Sequence, residues 1–341
     1  SLQCSGLLQR RSGGPCDRAF IVFGARDPAA RRADPSGPMG EIDTDGGSYV
    51  RKDNGFMSMA TWFIAEEEKR RGLIESVHSE VNGRWDFAVA GKDFSLKGVG
   101  CAGFSYNYNK WVSKAAKESL NKLLKGSLRS KKILDIGCGT GYYMEYYIGK
   151  GATDISGLDI TEKSIANLRK KYPHLKFFNA DISQKIPSNR KYDIITAIAV
   201  LYHVVDNNKF ENSVRNIRKL AKKGSIIIIQ DGFLKKYQPP KAGTHCYFRD
   251  YEYYKKILKK SGIEIVRKVP TFYFLNTPFD ISNNLLRRIA ISLWNIAMSI
   301  FAKNELTGNI LGFMLYHLDK LTLKIAKDSI SLETIACRVV K

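Results

Sequence analysis

Acidic residues are scarce in this sequence: 33 Asp and Glu stand against 55 Lys and Arg, a formal net charge of +22 over 341 residues. That balance excludes an acidic, solvating chain. It favours contact with an anionic partner such as nucleic acid, an acidic glycan or anionic lipid head groups, with a solvated lysine-rich surface as the other reading. Cysteine is equally sparse, with six residues at 4, 16, 101, 138, 246 and 337 and no C-x-x-C pair. Neither a zinc ribbon nor a disulfide framework is indicated, so no metal site is expected and a reducing cytoplasm is the expected setting. No uninterrupted apolar run reaches the ~18–20 residues that span a bilayer. The first residues also lack a signal-peptide pattern.

What is present divides by composition. Residues 1–51 hold seven arginines, no lysine and four of the ten prolines; they read as a disordered or non-native leader. Residues 52–126 read as an N-terminal extension with cap helices, one over 57–78 and one leading from Phe104 through Leu124. The second carries Tyr106, Tyr108 and Trp111 near its start. Eight basic residues between Lys110 and Lys132 face one acid, Glu118.

From 127 to 341 apolar runs alternate with helical patterns, as a doubly wound, mostly parallel sheet requires. The first run, Ile133, Leu134 and Ile136, stops in three glycines at alternate positions, Gly137, Gly139 and Gly141. Such a strand-to-helix turn needs backbone conformations closed to residues with a Cβ and lets a ligand approach the main chain. The spacing is G-x-G-x-G rather than the G-x-G-x-x-G of dinucleotide sites. Asp135, two residues before the first glycine, would repel a phosphate and suit a cation such as an ammonium group. Asp135-Ile-Gly-Cys-Gly-Thr-Gly141 resembles the first motif of the class I S-adenosylmethionine-dependent methyltransferases at every fixed position.

The resemblance implies a seven-stranded Rossmann-like methyltransferase fold with S-adenosyl-L-methionine as cofactor. In the family's pattern Asp135, Gly137, Cys138, Gly139 and Gly141 would hold the methionine part. Asp159 and Ile160, at the end of the second strand, would meet the ribose, because a carboxylate offers two oxygens to two vicinal hydroxyls. Asp181 and Ile182, at the end of the third, would meet the adenine, and Ala199 would lie beside the cofactor at the end of the fourth. As residues alone, Asp159 also reads as a helix cap and Asp181 as a turn former. The fourth strand is not followed by the Asn/Asp-Pro-Pro-Tyr tetrad of amine-directed relatives, so the sequence looks like the small-molecule branch.

His203 and His245 are candidate general bases, since imidazole titrates near neutrality; His203 reads equally as a packing histidine. Tyr106, Tyr108, Trp111 and Arg249 are candidate acceptor contacts, the aromatics reading equally as packing residues. A helical insertion at about 277–328 precedes the last strand, Leu332–Val340. Its segment 283–302 reads as a lid or buried helix, or as an interfacial helix making peripheral membrane contact beside Arg287 and Arg288. The expected function is methyl transfer to a small-molecule or glycan acceptor at oxygen. An RNA methyltransferase and a non-catalytic partner-binding subunit are the alternatives.

Overall fold

Ile133, Leu134 and Ile136 are apolar on both faces of their strand, and the fold puts that strand in the middle of a sheet covered on both sides. The computed structural model describes residues 95–96, 101, 103–236 and 246–340. The expected leader, the helix expected over 57–78 and His245 lie outside the described residues. The elements run α1 (Tyr106–Leu123), β1 (Lys132–Ile136), α2 (Tyr142–Gly149), β2 (Asp154–Asp159), α3 (Glu162–Lys171), β3 (Lys176–Asn179) and β4 (Tyr192–Ile198). After a short 3-10 turn (Leu201–His203) come α4 (Asn207–Leu220), β5 (Ala221–Asp231), α5 (Tyr251–Lys260) and β6 (Ile263–Pro270). Two helices, α6 (Asn284–Ala297) and α7 (Glu305–Ile325), then precede β7 (Glu333–Val339).

These seven strands form one sheet in the order β3-β2-β1-β4-β5-β7-β6. β1 pairs in parallel with both β2 and β4, while β7 runs antiparallel between β5 and β6. The chain leaves β1 toward β2 and β3, then returns to β4 on the other side. A crevice therefore opens at the C-terminal ends of β1 and β4, where such sheets bind ligands. One face of the sheet is covered by Phe210, Val214 and Ile217 of α4 with Tyr254, Ile257 and Leu258 of α5. The other is covered by Leu120, Met144, Tyr147, Ile165 and Leu168 from α1, α2 and α3.

Some boundaries differ from the sequence reading, for local reasons. β3 stops at Asn179, so Asp181 lies in the following loop, where Oδ1 accepts from the Ser183 N–H at 2.8 Å. α5 starts at Tyr251 because Asp250 caps it, accepting from Tyr253 N–H at 2.8 Å. Arg249 thus precedes the helix.

The insertion departs most. After α6 the helix continues through a π turn, Met298–Ala302, and α7 follows Asn304, whose side chain caps it. α7 lies close along α1: a Cβ at Gly308 would strike Ser105, and one at Gly312 would come within 2.6 Å of Trp111. Instead of being buried, α6 has no buried residue before the π turn, which corrects the expectation of a core helix.

Candidate active site

The turn after β1 takes the shape its glycines allow. Gly137, Gly139 and Gly141 sit at φ of 68°, 50° and 78°, the left-handed region that residues with a Cβ avoid. Gly137 also has no room for a side chain, since a Cβ there would overlap the Val200 methyls. Its N–H donates to Leu158 O at 2.7 Å, tying the turn to β2.

Asp135 lies beneath this turn and is 1% exposed. The sheet register sets it beside Thr196 of β4, whose hydroxyl donates to Oδ1 at 2.7 Å. The Tyr147 hydroxyl of α2 donates to the same oxygen at 3.4 Å. Oδ2 is buried and has no hydrogen-bond partner among the described residues. Burial pushes the carboxyl up to about 7, against the pull of those two hydroxyls. An orphaned carboxylate oxygen facing a backbone cradle suits a cation that brings its own N–H donors.

Asp159 closes the other side of the turn. Oδ2 accepts from Gly139 N–H at 2.8 Å, and Oδ1 accepts from the Thr161 N–H and hydroxyl at 2.9 and 2.7 Å. The carboxylate thus ties the glycine turn to the start of α3, with lone pairs to spare. Ile160 follows it, and the Asn179 side chain donates to the Ile160 carbonyl at 2.8 Å. Ala199, at the end of β4, holds φ at 56°, and its N–H donates to Gln230 O at 3.0 Å. That turn directs the next residue, Val200, onto Gly137.

The structure corrects several expected side-chain roles. The Cys138 side chain belongs to the core: it fills the space above Gly157, where a Cβ would come within 2.7 Å of its sulfur. Ile182 is 5% exposed and packs in the opposite core cluster, not on an open face. Tyr108 is fully buried with its hydroxyl donating to Leu275 O at 2.8 Å. Trp111 donates through Nε1 to Asn309 at 2.9 Å and packs edge-on to Phe313, so the α1 aromatics seat the insertion. Tyr106 remains exposed at the start of α1.

Arg249 is 2% exposed rather than open to an acceptor. Its guanidinium donates to Asn207 Oδ1 and to the carbonyls of Val204 and Val205, and lies over Phe210 and Tyr247. It braces the loop after β4. Nearby, Asp231 is fully buried, accepts from the Tyr254 hydroxyl and from Gly232 N–H, and is pushed up to about 7 by burial.

His203 ends the 3-10 turn after β4, on the rim of the crevice, with Nδ1 3.4 Å from Cys246 Sγ. Its neighbour Tyr202 begins an aromatic row: the Tyr202 ring lies 5.0 Å from Phe248, which stacks on Phe279 at 4.4 Å. Thr196, Tyr147, Val200 and Phe248 are site residues that the sequence reading missed. The pairing of β1 with β4, fixed by three-dimensional register, brings Thr196 and Val200 to Asp135 and Gly137, and the packing of α2 on the sheet brings Tyr147.

Residues 108–268 match the family described as "Methyltransferase domain". Over 109 residues the chain is 36% identical to a "Ubiquinone biosynthesis O-methyltransferase" of Bordetella avium, covering 30% of this chain and 44% of that protein. It is 27% identical over 172 residues to the "Ubiquinone/menaquinone biosynthesis C-methyltransferase UbiE" of Campylobacter jejuni, covering 48% and 68%. The chain therefore spans less than half the length of the Bordetella relative. Among solved structures, the [4+2]-cyclase SpnF is 15% identical with a TM-score of 0.49, over 78% of this chain and 97% of that one. The glycine turn after β1, the strand order and the family match over 108–268 together identify the domain as a member of the class I S-adenosylmethionine-dependent methyltransferases.

Proposed function

We propose that this chain transfers a methyl group from S-adenosylmethionine to a hydroxyl oxygen of a small, largely apolar acceptor. The observation that carries the cofactor half is the buried, unpartnered Oδ2 of Asp135 beneath a left-handed glycine turn. In this reading Asp135 takes the cofactor's ammonium group and the backbone of Gly137, Gly139 and Gly141 lines its methionine part. Asp159 takes the ribose hydroxyls, and Asp181 with the amide beside it takes the adenine. When bound, S-adenosylmethionine supplies an activated methyl on a sulfonium sulfur.

The chain's own residues then orient the acceptor, exclude water and accept a proton. The aromatic row Tyr202–Phe248–Phe279 beside the rim suits an apolar, ring-bearing acceptor. The names of the ubiquinone-pathway relatives are in keeping with a small-molecule acceptor. His203, on the rim with Nδ1 3.4 Å from the Cys246 sulfur, is the group placed to take the acceptor's hydroxyl proton.

Calorimetric titration with S-adenosylhomocysteine, which carries the same ammonium group, tests the cofactor half. The wild-type chain is expected to bind, and Asp135→Asn to weaken binding by about 10- to 100-fold, the scale of a lost charged hydrogen bond. Failure of the folded wild-type protein to bind would overturn the reading.

A further inference from the structure

The insertion carries a feature that methyl transfer does not use. Among the described residues eighteen large hydrophobic side chains are exposed, and fourteen of them lie between Leu285 and Ile325. They are not scattered. On α6 and the π turn that continues it they recur as Leu285, Ile289, Leu293, Ile296 and Ile300, and on α7 as Leu306, Ile310, Met314, Leu318, Leu321 and Ile325. Steps of three and four residues place each set on one helix face. The opposite faces are already occupied: Trp294, Met298 and Ala302 on one side, and Leu311, Leu315 and Tyr316 on the other, pack into a single cluster with Tyr108 and Phe272. Both apolar stripes therefore turn outward from that shared cluster.

Charge decides what covers them. Residues 284–327 contain Arg287, Arg288, Lys303, Lys320, Lys324 and Lys327 against two acids, Glu305 and Asp319. Both acids are engaged within the domain. Glu305 accepts from the N–H groups of Tyr106 and Asn107 at 3.1 and 3.0 Å, and Asp319 is 2% exposed and accepts from the N–H groups of Tyr273, Phe274 and Leu275. The apolar stripes are thus edged by an excess of cations, and the next acid, Asp328, is paired with Lys268 at 2.8 Å. A second copy of the chain would set these cations against their own kind, and the broad apolar stripes do not suit nucleic acid.

We propose that α6 and α7 dock this domain on the surface of an anionic lipid bilayer, apolar stripes among the acyl chains and the Arg and Lys side chains at the headgroups. By length and composition the helix Asn284–Ala302 also suffices to cross a membrane, with a mean hydropathy of 1.4. Its contacts favour lying in the plane instead. Trp294 Nε1 donates to Phe274 O at 3.2 Å, and Ser292, Asn295 and Ser299 form an exposed polar seam along it. The proposal does not depend on the acceptor or on methyl transfer.

Flotation of the full chain with vesicles tests it. Phosphatidylcholine vesicles containing about a third phosphatidylglycerol should carry the protein up the gradient, and phosphatidylcholine alone should carry much less. Leu293→Gln with Leu318→Gln should abolish flotation while leaving the melting temperature and S-adenosylhomocysteine binding unchanged. Arg288→Gln and Lys324→Gln should each weaken only the phosphatidylglycerol-dependent part, by about fivefold at low salt. Two results would overturn the proposal. One is wild-type protein that stays at the bottom with both vesicle types; the other is a stable dimer by sedimentation that the Leu293→Gln, Leu318→Gln variant splits into monomers.

Discussion

The crevice at the ends of β1 and β4 and the outer faces of α6 and α7 invert the usual burial rule in opposite directions. In the crevice a carboxylate is buried with one oxygen unpartnered; on the insertion large apolar side chains stand in solvent. Each arrangement costs stability in the free chain, the first by desolvation and the second by apolar hydration. Each cost is removed by a ligand of the matching kind, a cation in one case and an apolar surface in the other. Sites intended for a partner show up as places where the fold alone is incomplete.

Substitutions can break the comparison, and the largest effect is expected at Gly137. Gly137→Val forces a branched side chain onto φ of 68° and into Val200; it should abolish S-adenosylhomocysteine binding in calorimetry and lower stability by about 1–3 kcal/mol. Asp135→Asn separates function from stability. It should weaken the ligand as stated, yet leave the ligand-free protein at pH 8 as stable as wild type or more so by thermal denaturation, because it removes a buried charge.

The pH dependence sharpens the same point. Asp135 and Asp231 both titrate near about 7 in the fold, against 3.8 for an ordinary Asp. Between those values the folded chain binds more protons than the unfolded one, so ligand-free stability should fall as pH rises from about 4 to about 7 and level off above. Affinity for S-adenosylhomocysteine should rise over the upper part of that range, with proton release visible as a buffer-dependent heat, and Asp135→Asn should erase that release. Outside both regions effects should be small. Lys171 and Glu145 pair at 2.9 Å with side chains about half exposed, 47% and 55%, and Lys171→Ala should change stability by under about 0.5 kcal/mol in urea denaturation.

Much of the fold could be read from the sequence because its signals are local. The apolar runs around Ile133, Ile155, Ile194 and Ile227 are bounded by turns and caps, and the glycines after Ile136 announce their own backbone. Asp135 was legible for the same reason, as an acid at a fixed step from those glycines. Thr196 and Val200 were not, since nothing local links position 196 to 135 and the link is a strand register; nor was Tyr147, which reaches Asp135 through the packing of α2 on the sheet. Arg249 and Trp111 misled because an Arg beside a rim and an aromatic near a turn look alike whether they face a ligand or brace a loop. The insertion misled for a related reason: its apolar stripes say that something covers them, and only tertiary structure shows that the rest of the described chain does not.

The caps of α1 set a timetable for biosynthesis. The first N–H groups of that helix are held by Glu305, about two hundred residues later, and the Ser105 N–H donates to Ala302 O. β7, made after the other six strands, inserts between β5 and β6. Synthesis must therefore pass Glu305 before the Tyr106 and Asn107 N–H groups find their acceptor, and pass Val339 before the sheet becomes continuous. Until β7 is made the edge of β5 is open as well as the stripes of α6 and α7, which makes the nascent chain a natural client for chaperones over that interval.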